Sequence, residues 1–135
     1  MIRIGLNETE RVLGPWDELL RFDILSIIDD INGIQILITD HGCQRKMILF
    51  LETGESVRVT DEGNLFGYLD RQINYGIYTV QNSEFLNWAK EARGSIELVK
   101  NMTNLKHFLI YSSNTVFEYI GSEPPQVLQS PNLQS

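Results

Sequence analysis

Between Phe22 and Glu62 the chain passes through four short apolar runs, each broken after a few residues by turn-forming side chains. A stretch punctuated this closely reads as short antiparallel strands. Ile34, Ile36 and Ile38 alternate with Gln35, Leu37 and Thr39, the period of a strand with one buried face. Asn32-Gly33 supplies a hairpin signal before them, and Asp40-His-Gly-Cys-Gln44 a turn after them. Met47 to Glu52 and Ser56 to Thr60 continue the pattern around Thr53-Gly54-Glu55. Three hairpins in succession predict a meander, each strand pairing with its sequence neighbour.

Outside this stretch the pattern is mixed. Met1 to Leu6 has the alternation of a short strand, and Asp17 to Leu20 that of a helical turn behind Gly14-Pro15-Trp16. Leu65, Phe66, Leu69 and Ile73 are spaced to share one face of a helix over 64–74. Ile77 to Gln81 is strand-like. A second amphipathic helix runs from a cap at Asn82 or Ser83 to about Arg93, with Phe85, Trp88, Ala89 and Ala92 on its inner side and Gly94 as its stop. Leu105 to Ser112 and Thr115 to Ile120 form a last hairpin around Ser113-Asn114. These elements predict an α+β fold, a mainly antiparallel meander sheet with two helices packed on one face, in a single domain over 1–121. Residues 122–135 hold three of the four prolines and read as a mobile C-terminal tail. The expected core is Ile34, Ile36, Ile38, Val57, Val59, Phe85, Trp88, Phe108 and Ile110.

With 135 residues, 42% of them hydrophobic, the chain is long enough to bury a core without staples. One cysteine, Cys43, excludes an internal disulfide and suits a reducing compartment. The amino-terminal segment lacks a basic stretch followed by a long apolar one, and no apolar run has membrane-spanning length, so a cytoplasmic location without membrane contact is expected. Eleven basic against eighteen acidic side chains leave a net charge of −7. Only Arg45 and Lys46 are adjacent cations, which argues against direct nucleic-acid binding, since that needs clustered positive charge.

Motifs for catalysis are sparse. Asp40-His41-Gly42-Cys43 brings acid, imidazole and thiol together, but residues two apart in a turn seldom reach nucleophile–base geometry. His41, Cys43 and His107 lack the short spacing of a metal site, so no metal and no cofactor are expected. Isolated glycines exclude a P-loop, and no glycine-rich dinucleotide fingerprint follows a strand. The pairs Asp17-Glu18, Asp29-Asp30 and Asp61-Glu62 read most simply as solvated turns. Arg58 is placed to reach Glu52 or Asp61 across a hairpin.

Three segments together carry a family resemblance: Phe22-Asp-Ile-Leu-Ser-Ile-Ile, Val57-Arg-Val-Thr-Asp-Glu62, and Thr79-Val-Gln-Asn-Ser-Glu-Phe-Leu-Asn-Trp88. Leu105-Lys-His-Phe-Leu-Ile-Tyr111 and Glu123-Pro124 extend it over most of 22–125. The chain resembles a family of small bacterial α+β proteins, whose members in turn resemble the small, variable immunity proteins encoded beside polymorphic toxins in contact-dependent or secreted-toxin systems. That resemblance implies an immunity role: binding and neutralising a cognate toxin domain, a nuclease being one such activity. The motifs define the family and carry no chemistry.

An acidic surface suits such a role, because it complements the basic cleft of a toxin that acts on nucleic acid. The expected partner-binding residues are Asp29, Asp30, Asp40, Glu52, Glu55, Asp61 and Glu62 in the turns and hairpin ends, with Trp16 as an aromatic anchor. The leading reading is a non-enzymatic immunity protein. The alternatives are a small enzyme or ligand-binding protein with a pocket near Trp88 and Arg58, and a structural subunit of a larger assembly.

Overall fold

In the computed structural model, residues 9–40, 45–52, 56–61, 74–93 and 104–129 are described. They form nine strands and one α-helix: β1 (Thr9–Arg11), β2 (Phe22–Asp30), β3 (Gly33–Asp40), β4 (Lys46–Leu51), β5 (Ser56–Asp61), β6 (Gly76–Val80), α1 (Glu84–Arg93), β7 (Lys106–Tyr111), β8 (Thr115–Gly121) and β9 (Gln126–Gln129). One turn of 3-10 helix, Pro15–Glu18, links β1 to β2. The strands divide into a five-stranded sheet, ordered β1-β6-β7-β8-β5, and a four-stranded sheet, ordered β2-β3-β4-β9.

The two sheets share one apolar core. From the four-stranded sheet it takes Phe22, Ile24, Ile34, Ile36, Ile38, Met47, Leu49 and Leu51, the inward half of each alternating strand. Ile77, Phe108, Ile110, Phe117 and Tyr119 meet them from the five-stranded sheet. Here two antiparallel sheets pack face to face through alternate residues. β7 and β8 are buried on both sides, which explains why they read as nearly continuous apolar runs. On their outer side Phe85 and Ala89 of α1 close over Ile120.

The expected α+β fold is therefore overturned: the protein is mostly β, with a single short helix among the described residues. The predicted first helix, over 64–74, falls almost wholly on residues outside those described, as does the strand expected at 1–6. The meander holds through β2, β3 and β4 and then stops. β5 does not fold back on β4; it pairs with β8, Val57 opposite Tyr119 and Val59 opposite Phe117. Within the segment expected to be a tail, Gln126–Gln129 forms β9 against β4.

Of the nine predicted core residues six are buried, Ile34, Ile36, Ile38, Phe85, Phe108 and Ile110, and three are not: Val57, Val59 and Trp88. Val57 and Val59 stand opposite Tyr119 and Phe117, but among the described residues β5 ends the sheet, and they are 40% and 50% exposed. Trp88 is 58% exposed. The buried arc of α1 is centred between Phe85, Ala89 and half-buried Leu86, and at 3.6 residues per turn Trp88 lies roughly 100° away from that centre. It instead stacks on the Phe85 ring at 6.0 Å. Trp88→Ala is accordingly expected to lower stability by about 1 kcal/mol, the value of one aromatic contact without deep burial. Urea unfolding monitored by circular dichroism checks this; a loss of about 3–5 kcal/mol would mean the indole is buried after all.

Candidate functional site

Beneath α1 a polar chain crosses the outer face of the five-stranded sheet. Ser83 ends the β6–α1 connection, where Asn82 takes a positive φ of 52°, a conformation asparagine tolerates well. The Ser83 hydroxyl oxygen then accepts the Leu86 amide at 2.9 Å, capping the helix as its sequence position suggests. The same oxygen lies 2.7 Å from Nδ1 of His107 on β7. His107 Nε2 sits 2.8 Å from Oε1 of Glu118 on β8. Arg58 on β5 closes the chain, with Nε and Nη2 donating to the two Glu118 oxygens at 2.8 and 2.9 Å.

Strand pairing dictates this alignment. Leu109 and His107 of β7 stand opposite Glu118 and Ile120 of β8, and Arg58 of β5 stands directly opposite Glu118. All three polar side chains thus emerge on one face. His107 and Glu118 are almost fully enclosed, and the Arg58 guanidinium lies over the Phe85 ring at 4.4 Å. Burial pushes the Glu118 carboxyl up, but hydrogen bonds from His107 and Arg58, with the attraction of the guanidinium, outweigh it and hold the carboxyl below its ordinary range. A neutral imidazole protonated on Nε2 satisfies every contact: Ser83 donates to Nδ1, and Nε2–H donates to Glu118.

Serine, histidine and glutamate in a row invite comparison with a hydrolytic triad. The geometry differs in a decisive way. Ser83 is 7% exposed and its oxygen is engaged by the Leu86 amide, whereas a nucleophile must face a substrate carbonyl with its base ready to take the proton. The arrangement ties α1, β5, β7 and β8 together. Beside it runs a groove of about 520 Å³, lined by Arg11, Asn82, Ser83, Leu86, Lys106 and His107 among others. Neither Trp88 nor Arg58 lines it. Among the described residues no group of three histidine, cysteine or acidic side chains gathers as metal ligands, and no helix is long and apolar enough to cross a membrane.

The residues expected to meet a partner separate into several places. Trp16 is 4% exposed: its ring packs in the shared core and its Nε1 donates to the Val12 carbonyl at 2.9 Å. Gly14 makes room for it, since a Cβ there would fall 2.4 Å from the indole. Asp40 closes its own turn, accepting the Arg45 amide at 2.8 Å and pairing with the Arg45 side chain at 3.5 Å. Asp61 lies on β5 opposite Thr115. Its side chain, like Glu55, Glu62, His41 and Cys43, is outside the described residues.

Asp29, Asp30 and Glu52 lie at the same end of the four-stranded sheet. The β2–β3 hairpin sets Asp30 opposite Gly33 and Asp29 opposite Ile34, and Ile34 faces Leu51, the residue before Glu52. All three are exposed at one end of the four-stranded sheet. Gly33 turns the chain there with φ of 136°, and a Cβ on it would meet the Leu51 carbonyl at 2.4 Å. Asp30 accepts the Asn32 amide at 2.8 Å, so it shapes the turn while keeping its charge outward. Next to these carboxylates in the chain Ile28 and Ile31 are exposed, Ile31 entirely, and Leu25 is half exposed further along β2.

Sequence reasoning offered Asn82 or Ser83 as the cap and missed the rest of the buried chain. Its signal was present: Glu118 is the one acid within the apolar run Val116 to Ile120, and His107 begins another. A charge in a strand buried on both faces requires a partner. Compared with protein-family models, with curated proteins and with solved structures, the chain finds no match.

Proposed function

We propose that the protein acts by binding another protein, as an immunity factor that neutralises a toxin domain through the acidic end of its four-stranded sheet. The observation that carries this reading is that exposed Asp29, Asp30 and Glu52 lie at one end of the four-stranded sheet, next to exposed Ile28 and Ile31. From Phe22 to Val57 the only cations are Arg45 and Lys46, and both lie at the other end, where Lys46 faces Thr39. A partner with a basic cleft would be steered to this end, and apolar contact beside the charges would hold it. Ser83, His107 and Glu118 tie α1 to the five-stranded sheet, a structural role compatible with a binding protein.

The experiment is co-expression with the protein encoded immediately upstream, followed by pull-down and growth rescue; an upstream product without toxicity would reject the immunity reading. The triple charge reversal Asp29→Lys, Asp30→Lys and Glu52→Lys is expected to slow association at least tenfold at low salt. That difference should shrink toward ~0.5 M salt, where exposed charges are screened over a few ångströms. Wild-type binding and rescue by the triple variant at both salt levels would reject the acidic-end reading.

A further inference from the structure

Among the described residues, one half of the edge strand β2 is protected and the other half is open. There β2 ends the four-stranded sheet and pairs with β3 alone. Along Phe22–Ile24 its outward groups are satisfied by the tip of the β7–β8 hairpin. The Phe22 carbonyl accepts the Ser113 amide at 2.9 Å. Asn114 receives the Ile24 amide at 3.0 Å and donates its own amide to the Ile24 carbonyl at 3.0 Å. The Ser113 hydroxyl bonds the Asp23 carboxylate. An asparagine here does what a neighbouring strand would do, by offering one donor and one acceptor to the edge.

At Leu25 the register shifts, and beyond it this protection ends. Ser26–Asp30 remains paired with β3 on one side, and among the described residues no strand or side chain bonds its other side. Leu25 and Ile28 stand about half exposed there. An edge strand that keeps unpaired amides beside exposed apolar side chains is a template for another strand.

Resting on the immunity reading, we infer that the open edge of β2, Ser26–Asp30, is a docking strand for an extended segment of the toxin domain that carries Lys or Arg among apolar residues. The basic character follows from Asp29, Asp30 and Glu52 at the same end, with this sheet's cations at the opposite end. Added backbone hydrogen bonds supply affinity, the exposed isoleucines contact alternate side chains of the incoming strand, and the carboxylates set its direction. Charges at an edge also serve to prevent self-pairing. The two roles predict different results when the charges are removed.

The test measures amide hydrogen exchange of the full chain alone and with the toxin domain encoded by the adjacent gene. Exchange at Ser26–Asp30 is expected to slow at least tenfold in the complex, and Ile28→Lys and Asp29→Lys each to weaken binding at least tenfold with unchanged circular dichroism and melting. Glu84→Lys, an exposed reversal on α1, serves as the control that leaves binding unaltered. A complex that leaves exchange at Ser26–Asp30 unchanged overturns strand docking while the immunity reading stands. No complex at all overturns both. Dimerisation of the protein alone, abolished by Ile28→Lys, would make the occupant a second copy and overturn the assignment to a toxin; Asp29→Asn that self-associates yet binds normally would show that the charge only guards the edge.

Discussion

Truncating Glu118 to Ala is expected to lower the unfolding free energy by about 3 kcal/mol, although the residue touches no part of the surface. Removing one member of a buried ion pair leaves the other charged and unsatisfied, at a cost of roughly 3–5 kcal/mol. Here the lower end applies, because the Arg58 side chain is 38% exposed and water can solvate it. His107 gains no such relief, since it is 1% exposed and loses the acceptor for Nε2. Among the described residues its remaining hydrogen-bond partner is Ser83, so the docking of α1 should weaken as well. The pH dependence provides a second reading of the same contact. The folded protein holds the Glu118 carboxyl below its ordinary range, so the unfolded chain binds the proton more readily. Stability from this group is therefore complete above the ordinary glutamate value, about 4.3, and is lost as pH falls through the depressed folded value. Urea midpoints of wild type and Glu118→Gln should differ most near neutral pH and converge in acid. A constant difference across that range would show that the carboxylate charge is not what stabilises the fold.

Trp16→Ala is expected to cost about 3–5 kcal/mol, the range for deleting a buried aromatic ring from a packed core. The indole fills space between the start of β2 and the inner faces of both sheets, and its Nε1 satisfies the Val12 carbonyl. Truncation leaves a cavity and an unpaired carbonyl together. Melting and urea unfolding measure the loss, and fluorescence separates it from any effect at Trp88, which is the remaining, exposed indole. If Trp16 were a surface anchor, the substitution would cost less than about 1 kcal/mol and abolish partner binding selectively. Near-wild-type stability of Trp16→Ala would therefore remove Trp16 from the core described above.

Local periodicity was enough to read several elements directly. Alternation at Ile34, Ile36 and Ile38 marked β3 and its buried face, Asn32-Gly33 marked the β2–β3 hairpin, and the spacing after Asn82-Ser83 marked the helix Glu84–Arg93. Ser113-Asn114 marked the β7–β8 turn, although nothing local revealed that Asn114 also caps the edge of β2, 90 residues away in sequence. Each of these depends on neighbours in the chain: side-chain period, turn chemistry and capping act over a few residues, so the sequence alone determined them. The division into two sheets does not. β5 has the composition to fold back on β4, yet it pairs with β8, where Arg58 meets Glu118 across 60 residues. Period-two patterning specifies which face of a strand is buried and says nothing about which strand lies beside it. The same holds for single side chains: Val59 alternates like a core residue but stands at an edge, and Trp16 looks like a turn residue but fills the core. The grouping of Asp29, Asp30 and Glu52, and the open half of β2 beside them, belongs to the tertiary structure, because only strand pairing brings residues of separate hairpins to one end of a sheet.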